Sequence, residues 1–340
     1  MGMATRPLAL TLGDPAGIGP DITLLAWHAR ATEAVPPFVL LGDPDALAAR
    51  AEQLRLAVRI ETVADPREAA GCFADALPVL PLALARAVVP GKPDEANAGA
   101  VQTSIERAVS LVLAGAARAV VTNPVSKAVL YRAGFGFPGH TEFLASLANP
   151  SGAPPLPVMM LVAQEIKIVP VTVHIPLKDV AATLSRALIV STLLTTARDM
   201  RRYFGLASPR LAVTGLNPHA GEDGGLGREE IDIIAPAIEE ARAIGLVVTG
   251  PHPADTLFHA EARQGYDAAI AMYHDQALIP FKTLAFEHGI NVTLGLPFLR
   301  TSPDHGTAFA LAGTGRARSR SLIEALRLAD AMAARAEAKA

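Results

Sequence analysis

Short runs of apolar and β-branched residues alternate along the chain with longer stretches whose apolar positions recur at helical spacing. LALTLG (8–13), FVLLG (38–42), AVVT (119–122) and VMMLV (158–162) read as strands. So do KIVPVTV (167–173), RLAVTG (210–215), DAAIAM (267–272) and INVTLG (290–295). Between them DITLLAWHAR, PDALAARAEQL, ANAGAVQTSIERAVSLVLAGA, REEIDIIAPAIEEARAIG and the alanine-rich C-terminus read as helices. The segment from Arg228 has acids in its first turn and stops at Gly245, good start-and-stop chemistry for a helix. Continuous apolar strands between amphipathic helices predict an α/β fold with a largely parallel sheet. No fixed-period repeat appears, and NPSGAPPLP (149–157) reads as a rigid loop rather than a flexible tether.

Ligands of such sheets gather at the carboxyl ends of the strands. The segments that follow the predicted strands are GDPAGIGPD, NPVSK, HIPLKD, LNPHAGEDGG, YHDQ and LPFLRTSPDHG. Proline, glycine, asparagine, histidine and acids crowd these positions while the helices stay bland.

One stretch imitates a dinucleotide turn. AGFGFPGHTEF (133–143) spaces Gly134, Gly136 and Gly139 as G-x-G-x-x-G. That fingerprint needs a strand before the first glycine and an acid about 20 residues further on. Here SKAVLYRAG reads instead as a helix closing on Gly134. The glycines are read as placing His140 and Thr141 at the start of a new helix, HTEFLASLA, where exposed N–H groups favour anions.

Composition removes several classes. A net charge of −3 over 340 residues gives no electrostatic footprint for nucleic acid. The single cysteine, Cys72, rules out a disulfide within the chain and a cysteine-based zinc site, and fits a cytoplasmic protein. MGMATRPLALTLGDP lacks the apolar core of a signal peptide, and ALIVSTLLTTA is too short to span a bilayer, so no membrane is expected. The Walker loop, HExxH, GxSxG and EF-hand patterns are absent.

Three histidines stand just beyond strand ends: His174, His219 and His274. Together they suit a catalytic divalent-metal site with an open position as well as they suit three unrelated loop histidines, while each singly reads first as a hydrogen-bonded loop histidine. Lys127, Lys282, Asn291, Arg300 and Asp304 share the sheet-end context, although surface cations are commonly solvated. Asp255 in HPADTLF is a candidate base, or a loop-capping aspartate.

Taken in order, GDPAGIGPD, NP-x-x-K with PGHTEF, H-x-PL, GLNPHAGE-x-G with G-x-EE, P-x-PADTLF, AMYHDQ and N-x-TLGLPF-x-RTS-x-DHGTA resemble one family. It is the 4-hydroxythreonine-4-phosphate dehydrogenase family of vitamin B6 biosynthesis. The blocks run from Gly13 to about Gly313, nearly the whole chain.

The resemblance implies a two-lobed fold of the isocitrate/isopropylmalate dehydrogenase type with the active site in the cleft. One lobe would span 1–127 plus 296–340 and the other 128–295. It implies His174, His219 and His274 as ligands of one divalent ion (Zn2+, Mg2+ or Co2+), in a site completed across a homodimer. His140, Thr141, Lys282, Asn291 and Arg300 would contact a small phosphorylated substrate, and Lys282 and Asp255 would be catalytic. Asp304, His305, Gly306 and Thr307 would meet NAD(P)+, which this group binds without a Rossmann fingerprint. The implied reaction is oxidation of 4-phosphohydroxy-L-threonine to 2-amino-3-oxo-4-(phosphooxy)butanoate, which decarboxylates to 3-amino-2-oxopropyl phosphate. Relatives that oxidise four-carbon acid-sugar phosphates or cis-dihydrodiols are the alternative, followed by a metal-dependent lyase or hydrolase and by a non-catalytic binding protein.

Overall fold

The structure, a computed structural model, describes residues 6–137, 139–149, 152 and 154–339. Pro138 of the glycine stretch and residues 150, 151 and 153 of the Pro/Gly-rich loop lie outside the described residues. Two compact units emerge, one of residues 1–157 and 296–334, the other of 158–295 and 335–340.

The first unit holds β1 (Leu8–Thr11), β2 (Phe38–Gly42), β3 (Ile60–Thr62), β4 (Leu77–Pro81), β5 (Val120–Val121) and β12 (Arg300–Pro303). The second holds β6 (Val158–Val162), β7 (Lys167–Pro170), β8 (Arg210–Thr214), β9 (Val247–His252), β10 (Ala268–Ala271) and β11 (Ile290–Leu294). All eight strands anticipated from the pattern are present. β3, β4, β9 and β12 are additional.

In the first unit the order is β3-β4-β2-β1-β5-β12, parallel throughout. Ala9, Val39, Leu41, Leu80 and Val120 pack against Val101, Ile105 and Ala108 of the helix Ala98–Leu113. The helix His140–Ala148 adds Phe143, Leu144 and Ala145 to that cluster. This packing explains a boundary that differs from the sequence reading. Residues 128–157 group with the N-terminal unit rather than with 158–295, and Leu130, Phe135, Phe143, Leu144 and Ala145 among them are buried in its core.

In the second unit the order is β11-β6-β7-β10-β8-β9. The β7, β10, β8 and β9 ladders are parallel, and β6 pairs antiparallel with both β11 and β7. Ala277, Phe281 and Ala285 recur every fourth residue in the helix His274–Ala285, and all three are fully buried. Burying Phe281 alone contributes about 2 kcal/mol, so the helix that starts at His274 is firmly anchored. Among the described residues no single helix is long and apolar enough to cross a membrane.

Candidate active site

The second unit carries the histidines. β7, β10 and β8 are adjacent and parallel, so the loops that follow them leave from one end of the sheet. His174 and His274 stand close, with ring centroids 5.7 Å apart. They line a hollow of about 220 Å³ together with Thr172, Tyr273 and Asp275. His219 lines a second hollow of about 330 Å³ with Asn217, Asp255, Gln276 and the same Tyr273. Asp255, read from sequence as a base or a loop cap, therefore shares a hollow with His219. Among the described residues, no three His, Cys, Asp or Glu side chains of this one chain group closely enough to hold an ion.

Two residues beyond the sequence reading set these loops. The Asp275 carboxylate lies 2.6 Å from His274 Nδ1, which orients the ring and leaves Nε2 as its other nitrogen. Gln276 Oε1 accepts from the Met272 N–H (2.6 Å) and the Thr214 hydroxyl (2.7 Å). Its Nε2 donates to the Gly215 carbonyl (2.8 Å), so one amide ties the ends of β8 and β10. Lys282 is half-buried two turns along the helix from His274, and its Nζ lies 5.5 Å from the ring centroid of Phe286. Asn291 sits in β11 opposite Leu161, and its Oδ1 is buried with no protein donor.

The first unit carries a cationic set. Ser126 caps the helix Lys127–Arg132, and Gly134 follows it with φ 86°, as the sequence predicted. Phe135, Phe137 and Phe143 then pack ring on ring, with centroids 5.0–5.4 Å apart. The glycine stretch is thus the approach to an aromatic cluster, and the helix His140–Ala148 begins where expected. A Cβ at Gly139 would meet the end of the exposed Glu142 side chain, Oε2, at 2.5 Å, a contact that side chain can relieve by turning away.

His140 Nε2 is buried without a protein hydrogen-bond partner. Burial, and then the positive charges of Arg300 and Lys127, hold the imidazole well below its usual pKa, so it is neutral at pH 7. Arg300 is itself buried, and that burial pushes its guanidinium down to about 10, leaving it charged at neutral pH. Its Nη2 and Nε donate to the Thr122 hydroxyl at 2.6 and 3.2 Å. Thr141 is half-buried beside His140. A neutral imidazole, a buried guanidinium and an exposed lysine close enough to influence one another favour an anion.

Beyond β12, His305 and Gly306 are exposed. The Thr307 carbonyl accepts from the Ile18 N–H (3.0 Å), and a Cβ at Gly17 would lie 2.9 Å from that carbonyl. The GDPAGIGPD loop therefore packs directly on Thr307.

Parallel α/β units with polar residues gathered beyond their strand ends define an enzyme of the metabolic α/β class. The family described as "Pyridoxal phosphate biosynthetic protein PdxA" matches residues 33–329, and the chain belongs to it. It is 56% identical over 332 residues to a 4-hydroxythreonine-4-phosphate dehydrogenase of Xanthobacter autotrophicus, covering 97% of this chain and 95% of that one. The crystal structure of 4-hydroxythreonine-4-phosphate dehydrogenase from Klebsiella pneumoniae superposes with a TM-score of 0.84 at 38% identity, covering 97% of this chain and 100% of that one. A terephthalate 1,2-cis-dihydrodiol dehydrogenase from Burkholderia xenovorans is similar at a TM-score of 0.63 and 30% identity, covering 96% of this chain and 98% of that one.

Proposed function

We propose that this chain is a divalent-metal- and NAD(P)+-dependent dehydrogenase that oxidises 4-phosphohydroxy-L-threonine at C3, in pyridoxine 5'-phosphate biosynthesis in the cytoplasm. The 3-oxo acid that results is a β-keto acid and loses CO2 to give 3-amino-2-oxopropyl phosphate. The observation that carries the choice of substrate is the set formed by His140 with its buried Nε2, the buried Arg300 and the exposed Lys127. A phosphate suits that set, whereas a cis-dihydrodiol brings none.

The chemistry of the donor set suits a divalent ion, although among the described residues of one chain the three imidazoles do not converge on a point. His174, His219 and His274 offer three imidazoles from adjacent strand ends, and Asp275 orients the third. The exposed apolar side chains Leu177, Ile279 and Phe286 of the same unit support a homodimer in which a second copy helps complete the ligand set. Bound there, the ion supplies Lewis-acid polarisation of the substrate's hydroxyl and carboxylate oxygens.

The chain's own groups do the rest. His140, Thr141 and Arg300 anchor the phosphate, and Asn291 offers its buried Oδ1 to a substrate donor. Lys282 or Asp255 would take the C3 hydroxyl proton, and the nicotinamide cofactor, when bound, would supply the hydride acceptor. Asp304, His305, Gly306 and Thr307 would hold the cofactor, at a turn whose His305 and Gly306 are exposed.

The test is a steady-state assay of NAD+ and NADP+ reduction with 4-phosphohydroxy-L-threonine, with and without chelator, on wild type and His219→Ala. Metal-dependent reduction abolished by the substitution is the expected result. No reduction by folded, metal-loaded protein would overturn the substrate, and turnover of a cis-dihydrodiol would replace it.

A further inference from the structure

Past β8 the backbone does what L-residues avoid. His219, Ala220, Gly221, Glu222 and Asp223 are consecutive, and their φ values run from 42° to 83°. Residues with a Cβ visit this left-handed region singly, not in runs, because the Cβ crowds the carbonyl that follows. Such a backbone persists only where its surroundings over-determine it.

The surroundings converge on Glu230, which is 3% exposed. Its Oε1 accepts from the N–H groups of Leu216 (2.7 Å) and Asn217 (2.8 Å), and its Oε2 accepts from Asn217 Nδ2 (2.9 Å). Asn217 Nδ2 also donates to Glu229 Oε2 at 2.7 Å. The carboxylate enters the loop through glycines. A Cβ at Gly215 would lie 2.9 Å from Oε1, and one at Gly221 would lie 2.6 Å from Oε2. A Cβ at Gly227 would come 2.3 Å from Asn217 Nδ2. Glu230 thus grips the chain on both sides of His219, at Leu216–Asn217 by hydrogen bonds and at Gly221 by close packing.

We propose that Glu230 is the positioning residue of His219: its carboxylate holds the left-handed turn, and the turn fixes the direction in which the imidazole is presented to the metal. This rests on the metal reading above. Orientation of a ligand by a carboxylate through hydrogen bonds is a known determinant of metal affinity. Here the carboxylate acts on the backbone that carries the histidine rather than on its ring.

The test is a Co2+ titration of the full chain, followed by calorimetry and visible absorption, on wild type, Glu230→Gln and Asn217→Ala, with metal-free thermal unfolding alongside. Glu230→Gln keeps the shape but sets an amide N–H against loop donors. It is expected to bind Co2+ at least about tenfold more weakly, with altered absorption bands, while unfolding cooperatively. Asn217→Ala removes one side-chain grip and is expected to show a smaller loss of the same sign. An unchanged affinity and spectrum in Glu230→Gln overturns the proposal. Should that variant fail to fold, unchanged binding by Asn217→Ala overturns it instead. A wild type that does not bind Co2+ removes the metal reading and this proposal together, whereas equal binding by wild type and variant removes this proposal alone.

Discussion

The Thr122 hydroxyl oxygen receives two guanidinium nitrogens of Arg300, Nη2 at 2.6 Å and Nε at 3.2 Å. Thr122 is 1% exposed and Arg300 6%, so the hydroxyl just past β5 helps orient a buried cation. Thr122→Val keeps the shape and removes the acceptor. It is expected to lower stability by about 1.5–3 kcal/mol, because hydrogen bonds to charged groups are worth more than neutral ones. Denaturant titration measures that loss. Arg300→Lys, which cannot present a planar fork, is expected to raise KM for the phosphorylated substrate by at least about tenfold.

His140 gives a pH dependence whose sign is fixed. Its pKa is lowered in the fold, chiefly by burial and then by Arg300 and Lys127. The unfolded chain therefore binds a proton that the folded chain resists. Stability is complete above the ordinary value of 6.5 and falls as the pH drops below it. His252, lowered by burial and then by Arg242, adds a slope of the same sign. Thermal unfolding between neutral and mildly acid pH is expected to show the loss in wild type and a smaller one in His140→Gln. An unchanged slope in the variant would remove His140 as its source.

The Asp275 contact with His274 Nδ1 sets a third expectation. Asp275→Ala frees the ring to turn without removing a ligand. Affinity for Co2+ or Zn2+ is expected to fall about 10–100-fold, with little change in metal-free melting because Asp275 is exposed. Competition against a chromophoric chelator reads this directly.

How far the chain could be read in advance depended on what each segment buries. Apolar strands such as VMMLV and INVTL announce themselves, and the helices at Lys127 and His140 lie where the sequence around the glycine stretch places them. β12 did not, because its buried residues Arg300, Thr301 and Ser302 are polar. The Thr301 hydroxyl donates to the Ala325 carbonyl at 2.9 Å, a partner supplied by the fold rather than by the local sequence. β3 is too short, at three residues, to carry a period.

The candidate site divides in the same way. His174, His219 and His274 stand out beyond strand ends, and His140 at a helix start, by residue type alone. Thr122, Glu230, Asp275 and Gln276 do not, because each works by holding another residue and is an ordinary polar residue until the loops are placed. The left-handed run at His219–Asp223 was illegible, since only one of its five residues is glycine. The G-x-EE of the sequence block contains Glu230, and that pairing with nearby glycines was the one available signal.

The buried pair Asp21–Arg50 supports a final prediction about the cofactor side. Their side chains are 0% and 3% exposed and joined by a direct ion pair. Arg50 also donates to the carbonyls of Pro15 and Gly17, each at 3.2 Å, and Asp21 Oδ1 accepts from the Gly313 N–H at 2.7 Å. One pair thus fastens the GDPAGIGPD loop to the segment just beyond the proposed cofactor turn. Arg50→Met would strand a buried carboxylate, whose pKa burial already raises, and is expected to cost about 3–5 kcal/mol. Asp21→Asn with Arg50→Met leaves no charge to strand and is expected to recover part of that cost. Urea unfolding of the four proteins of this cycle gives the coupling. Because the Thr307 carbonyl accepts from Ile18 in the fastened loop, KM for the nicotinamide nucleotide should rise in Arg50→Met. Co2+ affinity, set by the histidine loops, should not. A variant that lost both in equal measure would show a general loosening rather than a device acting on the cofactor loop.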